Sequence, residues 1–183
     1  MSEVIHLLES EHRVIQKVLR GLEGICRRIE SGGSVERETL VGVVDFLRRY
    51  ADRHHHAKEE AHLFPVLEQR GLPREGGPIG VMLAEHETGR ALVGRMDAAA
   101  ERGTDGDAPR DFAAAGRELV DHLSRHIEKE EGVLFPMAED LLDRQTLETL
   151  VDWVEKADAE SMSVLERRSF EQAAADLERT WSV

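Results

Sequence analysis

The sequence predicts an all-α fold: an antiparallel up-down-up-down four-helix bundle with an additional C-terminal helix or helices. Three observations predict it. Apolar residues recur at helical spacing along most of the chain, and no stretch alternates with the period of a strand. Glycine and proline clusters punctuate the helical runs at short intervals. The stretch HHHAKEEAHLFP, residues 54–65, is echoed 71 residues later by HIEKEEGVLFP, residues 126–136.

The elements follow in order. Val4, Ile5, Leu8, Ile15, Val18, Leu19, Leu22, Ile25 and Ile29 keep a period near 3.6 and define a first helix. Ser31-Gly32-Gly33-Ser34 ends it, and Ser34 or Thr39 is placed to cap the next helix, from about Val35 to Gln69. Pro65 kinks that helix or starts a new turn, because proline lacks an amide hydrogen and clashes with the preceding turn. Gly71-Leu72-Pro73 and Gly76-Gly77-Pro78 form a connector to a third helix, about Ile79 to Glu101. Gly103-Thr104-Asp105-Gly106 closes it, and a fourth runs from about Pro109 to Leu142, with Pro136 matching Pro65. The polar, amphipathic stretch from Gln145 to Trp181 forms one or two more. Residues 1–143 are thus expected as the bundle and 144–183 as a helical extension packed on it.

Composition narrows function. Lys plus Arg is 24 against 37 Asp plus Glu, a formal net charge of −13. That balance argues against binding nucleic acid or an anionic membrane, since either would need a basic patch to neutralise phosphates. No apolar run reaches the roughly 20 residues of a bilayer span. The opening MSEVIHLLESEH has acids where a signal peptide would be basic and then apolar, and the single cysteine, Cys26, excludes an internal disulfide. Both features lead to the expectation of a cytoplasmic protein. Nine histidines in such a chain are the anomaly.

The repeat sets a register. Aligning Leu63-Phe64-Pro65 with Leu134-Phe135-Pro136 puts His55 on His126, Lys58 on Lys129, Glu59 on Glu130 and Glu60 on Glu131. Glu59 and Glu130 lie four residues after the shared histidines, hence on the same helix face. A weaker echo pairs Glu11-His12 with Glu85-His86, 74 residues apart. Two copies of a helical pair then each supply a lone histidine and a His-x-x-x-Glu. Folded with two-fold pseudosymmetry, His12, His55, Glu59, His86, His126 and Glu130 converge on the interior. Six such groups buried without a partner would each cost a few kcal/mol, against a total stability of about 5–15 kcal/mol. Cations offset that cost. Imidazole with carboxylate suits iron, manganese or zinc, and six side chains exceed what one tetrahedral zinc takes. Two metals bridged by two carboxylates is the economical arrangement.

The order H…HxxxE…H…HxxxE, with KEExxLFP in the second helix and HIxKEExxLFP in the fourth, resembles the hemerythrin-like, or HHE cation-binding, domains over about residues 3–142. The resemblance implies a non-haem di-iron centre of two iron ions, oxo- or hydroxo-bridged. It implies bridging by Glu59 and Glu130 and terminal ligation by His12, His55, His86 and His126. Two departures stand out. Oxygen-carrying hemerythrins have a second histidine four residues after the third-helix one, where this chain has Arg90. Their last carboxylate falls five residues after its histidine, at Glu131 here. Both argue against reversible oxygen storage. His122, four residues before His126, and His62, seven after His55, are candidates for an extra ligand or for a place just behind the ligands.

The remaining candidates are assigned to packing or solvent. His54 and His56 are expected to be exposed or bonded to acids, His6 incidental, Glu60 and Glu131 surface acids. Tyr50, Cys26, Met82, Met96 and Met137 are core. Three functions fit the metal set. One is a di-iron protein binding or reducing a small oxidant, O2, peroxide or nitric oxide, with His122 or His62 as proton source. A second is a sensor or iron-handling module without turnover, reporting through residues 145–183, with Trp153 and Trp181 as docking anchors. Either leaves room for a redox partner or a homodimer. The third, a ferritin-like carboxylate oxidase, needs Glu-x-x-His on facing helices. That spacing occurs at Glu3/His6, Glu9/His12 and Glu59/His62 and is missing from the third and fourth helices.

Overall fold

A computed structural model describes residues 2–182, and it is all-helical. Six continuous helices appear. Helix α1 is Glu3–Glu30 and α3 is Pro78–Glu101. Helix α2 covers 37–69, and α4 covers 108–141. Helices α5, Arg144–Ser161, and α6, Val164–Trp181, form the extension. The N-cap of α2 is Glu36, not Ser34 or Thr39, and no side chain caps it. Asp143 caps α5 by accepting from the Thr146 amide, and Ser163 with Glu166 makes a reciprocal capping box on α6.

Helices α2 and α4 are not regular throughout. In α2, Leu47–His56 and Glu59–Leu63 are wound as π-helix; in α4, Glu130–Leu134 is. The Phe64 amide donates to Glu59 O and the Phe135 amide to Glu130 O, so each wide turn begins at the glutamate of the repeated motif. Pro65 and Pro136 follow at once, near the start of the α-helical segments Phe64–Gln69 and Phe135–Leu141. A proline ring clashes with the carbonyl four residues back; a wider turn moves that carbonyl aside. The expected kink is thus a π turn, a feature that often marks functional positions.

Two apolar clusters fill the interior. One joins Ile15–Ile29 of α1 with Val43, Leu47, Met96, Phe112, Leu119 and Ile127. The other joins Val4, Ile5 and Leu8 with Phe64, Leu67, Met82, Leu134 and Phe135. Each of the first four helices passes from one cluster to the other, and the polar residues Glu11, His12, His54, His55, His56, Lys58, Glu59, His86, His126 and Glu130 lie between. Helix α1 packs on α4 and α6, α3 on α4, and α5 on α1 and α2. Close approach of α6 requires glycine in α1: a Cβ at Gly24 would lie 1.7 Å from the Trp181 carbonyl oxygen. Cys26 and Tyr50 are core, as expected.

Candidate metal centre

The band between the two clusters contains ten buried polar or charged residues. Two groups of four side chains in it have ligand atoms within 4.8 Å of one another: His12, His55, Glu59 and Glu130, and Glu59, His86, His126 and Glu130. Both glutamates belong to both groups. The structure therefore brings all six predicted residues together, one histidine from each of the first four helices and one carboxylate each from α2 and α4.

Each of the four histidines is aimed by a second carboxylate behind it. His55 Nδ1 lies 2.8 Å from Glu11, His126 Nδ1 3.0 Å from Glu85, His12 Nδ1 3.0 Å from Glu131 and His86 Nδ1 2.7 Å from Glu60. A carboxylate only accepts, so each Nδ1 carries a hydrogen, and Nε2 is the ring nitrogen that faces inward. There His12 Nε2 is 3.2 Å from Glu130, His126 Nε2 3.3 Å from Glu130 and His86 Nε2 3.5 Å from Glu59. His55 Nε2 is 3.8 Å from Glu59.

The repeated motif is now explained residue by residue. Glutamates of the two Glu-His pairs, Glu11 and Glu85, orient the histidines of the same half, His55 and His126. The second glutamates of the two Lys-Glu-Glu stretches, Glu60 and Glu131, cross to the other half and orient His86 and His12. The lysines hold the first set: Lys58 Nζ donates to Glu11 and Lys129 Nζ to Glu85. Glu60 and Glu131, expected as surface acids, are working parts of the centre, 28% and 37% exposed. The signal was present, since both sit at fixed places in the same duplication.

The other histidines lie in and around this group. His54 and His56, expected to be exposed or bonded to acids, are both buried, and His54 lies against acids. His56 stacks on His86 with ring centroids 4.0 Å apart and shares a ligand-atom cluster with His86 and His126. His54 packs behind Glu11, 3.1 Å away. In an α-helix three consecutive residues would splay over more than half the circumference; the wider π turn narrows that spread and keeps all three inside. His122 Nε2 bonds the Glu85 backbone carbonyl oxygen at 2.8 Å, and His62 lies against Trp153; neither joins the six. His6 is exposed.

The electrostatics are those of a site lacking positive charge. Burial, then the charge of Glu130, pushes the Glu59 carboxyl well above the usual range. Burial also opposes ionisation of Glu130, but the charges of His126 and His12 outweigh it and hold Glu130 at about 2. Two adjacent buried carboxylates do not both ionise unaided. His12 is driven up to about 9: burial resists, and the neighbouring carboxylates of Glu130 and Glu131 prevail. Burial takes His55 down to about 4 despite Glu11.

Metal ligands fit this arrangement on independent grounds. His12 Nε2, His55 Nε2 and all four carboxylate oxygens of Glu59 and Glu130 are buried without a hydrogen-bond partner. Buried polar atoms are nearly always paired, so six orphans on one small volume call for a cation. His86 Nε2 and His126 Nε2 are 3.1 Å apart. Two nitrogens on one metal at about 2.1 Å and near right angles would be about 3 Å apart.

Comparison with known proteins agrees with this geometry. The family model described as hemerythrin HHE cation binding domain matches residues 3–138. Uncharacterized proteins of Mycobacterium tuberculosis and Mycobacterium bovis are each 25% identical over 182 residues, covering 96% of this chain and 69% of the relative. The iron-sulfur cluster repair protein YtfE of Enterobacter sp. (strain 638) is 36% identical over 91 residues, 46% of this chain and 40% of that protein. No solved structure matches. With the match spanning the four helices that carry the six convergent side chains, the chain belongs to the hemerythrin HHE cation-binding domain family.

Proposed function

We propose that this chain is a dinuclear non-haem iron protein that binds or reduces a small oxidant. The metal pair lies at the waist of an antiparallel up-down-up-down four-helix bundle. The observation that carries the proposal is the double membership of Glu59 and Glu130 in two four-residue ligand groups, with all four of their oxygens unpartnered. His12 and His55 would hold one metal, His86 and His126 the other, and the two glutamates would bridge them. Mixed imidazole and carboxylate donors suit iron, and the set exceeds what one tetrahedral zinc uses. Alternation of the four helices between the two apolar clusters supports the bundle topology.

Bound iron supplies adjacent one-electron donors of accessible potential. The chain's own contribution is orientation and exclusion of water. Four Nδ1–carboxylate bonds fix the imidazole tautomers, and the apolar clusters above and below keep solvent from the centre. Arg90 stands four residues after His86, where oxygen carriers have a histidine. It donates to Asp52, Glu60 and Glu87 and so anchors the carboxylate that orients His86. A structural cation there, in place of a ligand, favours turnover or sensing over reversible oxygen storage.

A second function, iron handling or sensing without turnover, is favoured by one contact. Asp158 of α5 is 2.5 Å from Lys58 Nζ, one residue from Glu59, so the extension touches the centre's supports. The printed name of the YtfE relative, iron-sulfur cluster repair protein, points the same way. Mixing the reduced, iron-loaded protein with O2, peroxide and nitric oxide separates the two. Catalytic consumption of any of them establishes turnover, and stoichiometric reaction alone establishes sensing or iron handling. Aerobically purified protein is expected to hold iron and to show near-ultraviolet absorption that bleaches on reduction; a single zinc per chain would overturn both functions.

A further inference from the structure

The duplicated motif would make the two half-centres equivalent, and the structure does not. In one half, Lys58, Glu11 and His55 form a chain of contacts; in the other, Lys129, Glu85 and His126 do. The Lys58 side chain is 2% exposed, whereas that of Lys129 is 46% exposed. His54 is buried, and its equivalent by the 71-residue offset, Arg125, is exposed.

The cause is α5. Asp158 Oδ1 is 2.5 Å from Lys58 Nζ, Ser161 Oγ is 2.9 Å from His54 Nδ1, and Arg167 of α6 is 3.4 Å from the other oxygen of Asp158. Glu11, His54 and Asp158 also gather as a possible ligand group. Lys58 Nζ lies among them, so an ammonium group already occupies that place. The C-terminal helices therefore cover the supports of His55 and leave Lys129, behind His126, half-exposed. A cavity of about 270 Å3 between α2, α3 and α4 has among its lining Gly89, Leu123 and His56, the ring stacked on His86.

We propose that α5, through Asp158 and Ser161, locks the metal position of His12 and His55, so that the two cations exchange at different rates. The position of His86 and His126 is the labile one, with the cavity separated from His86 by the His56 ring. This rests on the dinuclear site proposed above. For a metal to leave, an imidazole must swing off it, and the carboxylate behind that imidazole must move. Glu11 is held by a desolvated lysine and histidine that are themselves pinned from α5, and ion pairs removed from water are strong. Glu85 is held by a lysine in water, where such pairs are weak and screened. Asp158 and Ser161 are positioning residues; they touch no ligand atom of the metals.

The test uses the full chain loaded with Co2+, which avoids redox changes, and measures metal content before anything else. Two cobalt ions per chain uphold the dinuclear site; one or none overturns it, and this inference with it. The loaded protein is then challenged with excess chelator and release is followed by absorbance. Two phases of equal amplitude are expected, separated by about tenfold or more, the range over which groups behind metal ligands act. Asp158→Asn should accelerate the slow phase severalfold and leave the fast one unchanged. Ser161→Ala, a milder change on the exposed end of α5, should do the same to a smaller degree, and Lys129→Ala should accelerate the fast phase alone. Circular dichroism confirms that each variant remains helical. A single release phase, or equal acceleration of both phases by either α5 variant, would overturn the proposal; so would no effect of both.

Discussion

The Glu60 carboxylate of α2 sits 2.7 Å from His86 Nδ1 on α3, and Arg90, one turn beyond His86, grips the same oxygen at 2.6 Å. A histidine, its orienting carboxylate and the cation that holds that carboxylate thus form one unit spanning two helices. Arg90→Gln should loosen Glu60 and free His86 to rotate. Metal affinity in a competition titration is expected to fall by about 10–100-fold, the usual cost of losing such support. Unchanged affinity would remove Arg90 from the centre.

Removing the charge of Glu59 should have opposite effects on the metal-free and loaded protein. A carboxyl whose folded pKa is raised makes the fold bind more protons than the unfolded chain. Metal-free stability therefore falls as pH rises from the ordinary carboxylate range through the raised value of Glu59. Glu59→Gln abolishes that penalty. The metal-free variant should melt a few degrees higher at neutral pH, at about 2–4 °C per kcal/mol for a chain of this size, while its metal content drops. A lower melting temperature without metal would contradict the account.

Metal binding should expel protons. In the metal-free protein His12, at about 9, holds an extra proton at neutral pH, and Glu59 keeps its proton beyond the usual carboxylate range. Both must be bare to ligate. Apparent affinity is expected to increase with pH up to about 9 and then level off, and titration of metal into weakly buffered protein should acidify it. No pH change on binding would sink this electrostatic description.

Packing of the extension on α1 rests on glycine. Gly24→Ala drives a Cβ to 1.7 Å from the Trp181 carbonyl oxygen, so α6 must shift. Overpacking of this kind costs about 1–3 kcal/mol. Gly42→Ala meets nothing within 4 Å and should stabilise the exposed helix by about 0.5–1 kcal/mol. Thermal melts of the pair check the prediction: equal melting temperatures would mean that α6 does not dock as described.

Much of this was legible in the sequence because the duplication fixed a register. Helix limits fell within a few residues of those observed, and the repeat selected His55 from three adjacent histidines. What escaped was of two kinds. Glu11, Glu60, Glu85 and Glu131 were in the same repeated words as the ligands. Their role is to accept from Nδ1 across helices, and that pairing follows from tertiary placement that periodicity does not encode. The burial of His56 depends on a π turn from Leu47 to His56. A 3.6-residue period takes its neighbours out of the core, so no count based on regular helix would have found it. Proline at 65 and 136 hinted at irregular turns nearby; their extent was not readable.

The account stands on two cations sharing Glu59 and Glu130, and anomalous diffraction at the iron edge from crystals of the iron-loaded protein tests it most directly. Two peaks are expected, one between His12 and His55 and one between His86 and His126, each in contact with both glutamates. A single peak, or iron bound away from these six side chains, would contradict it.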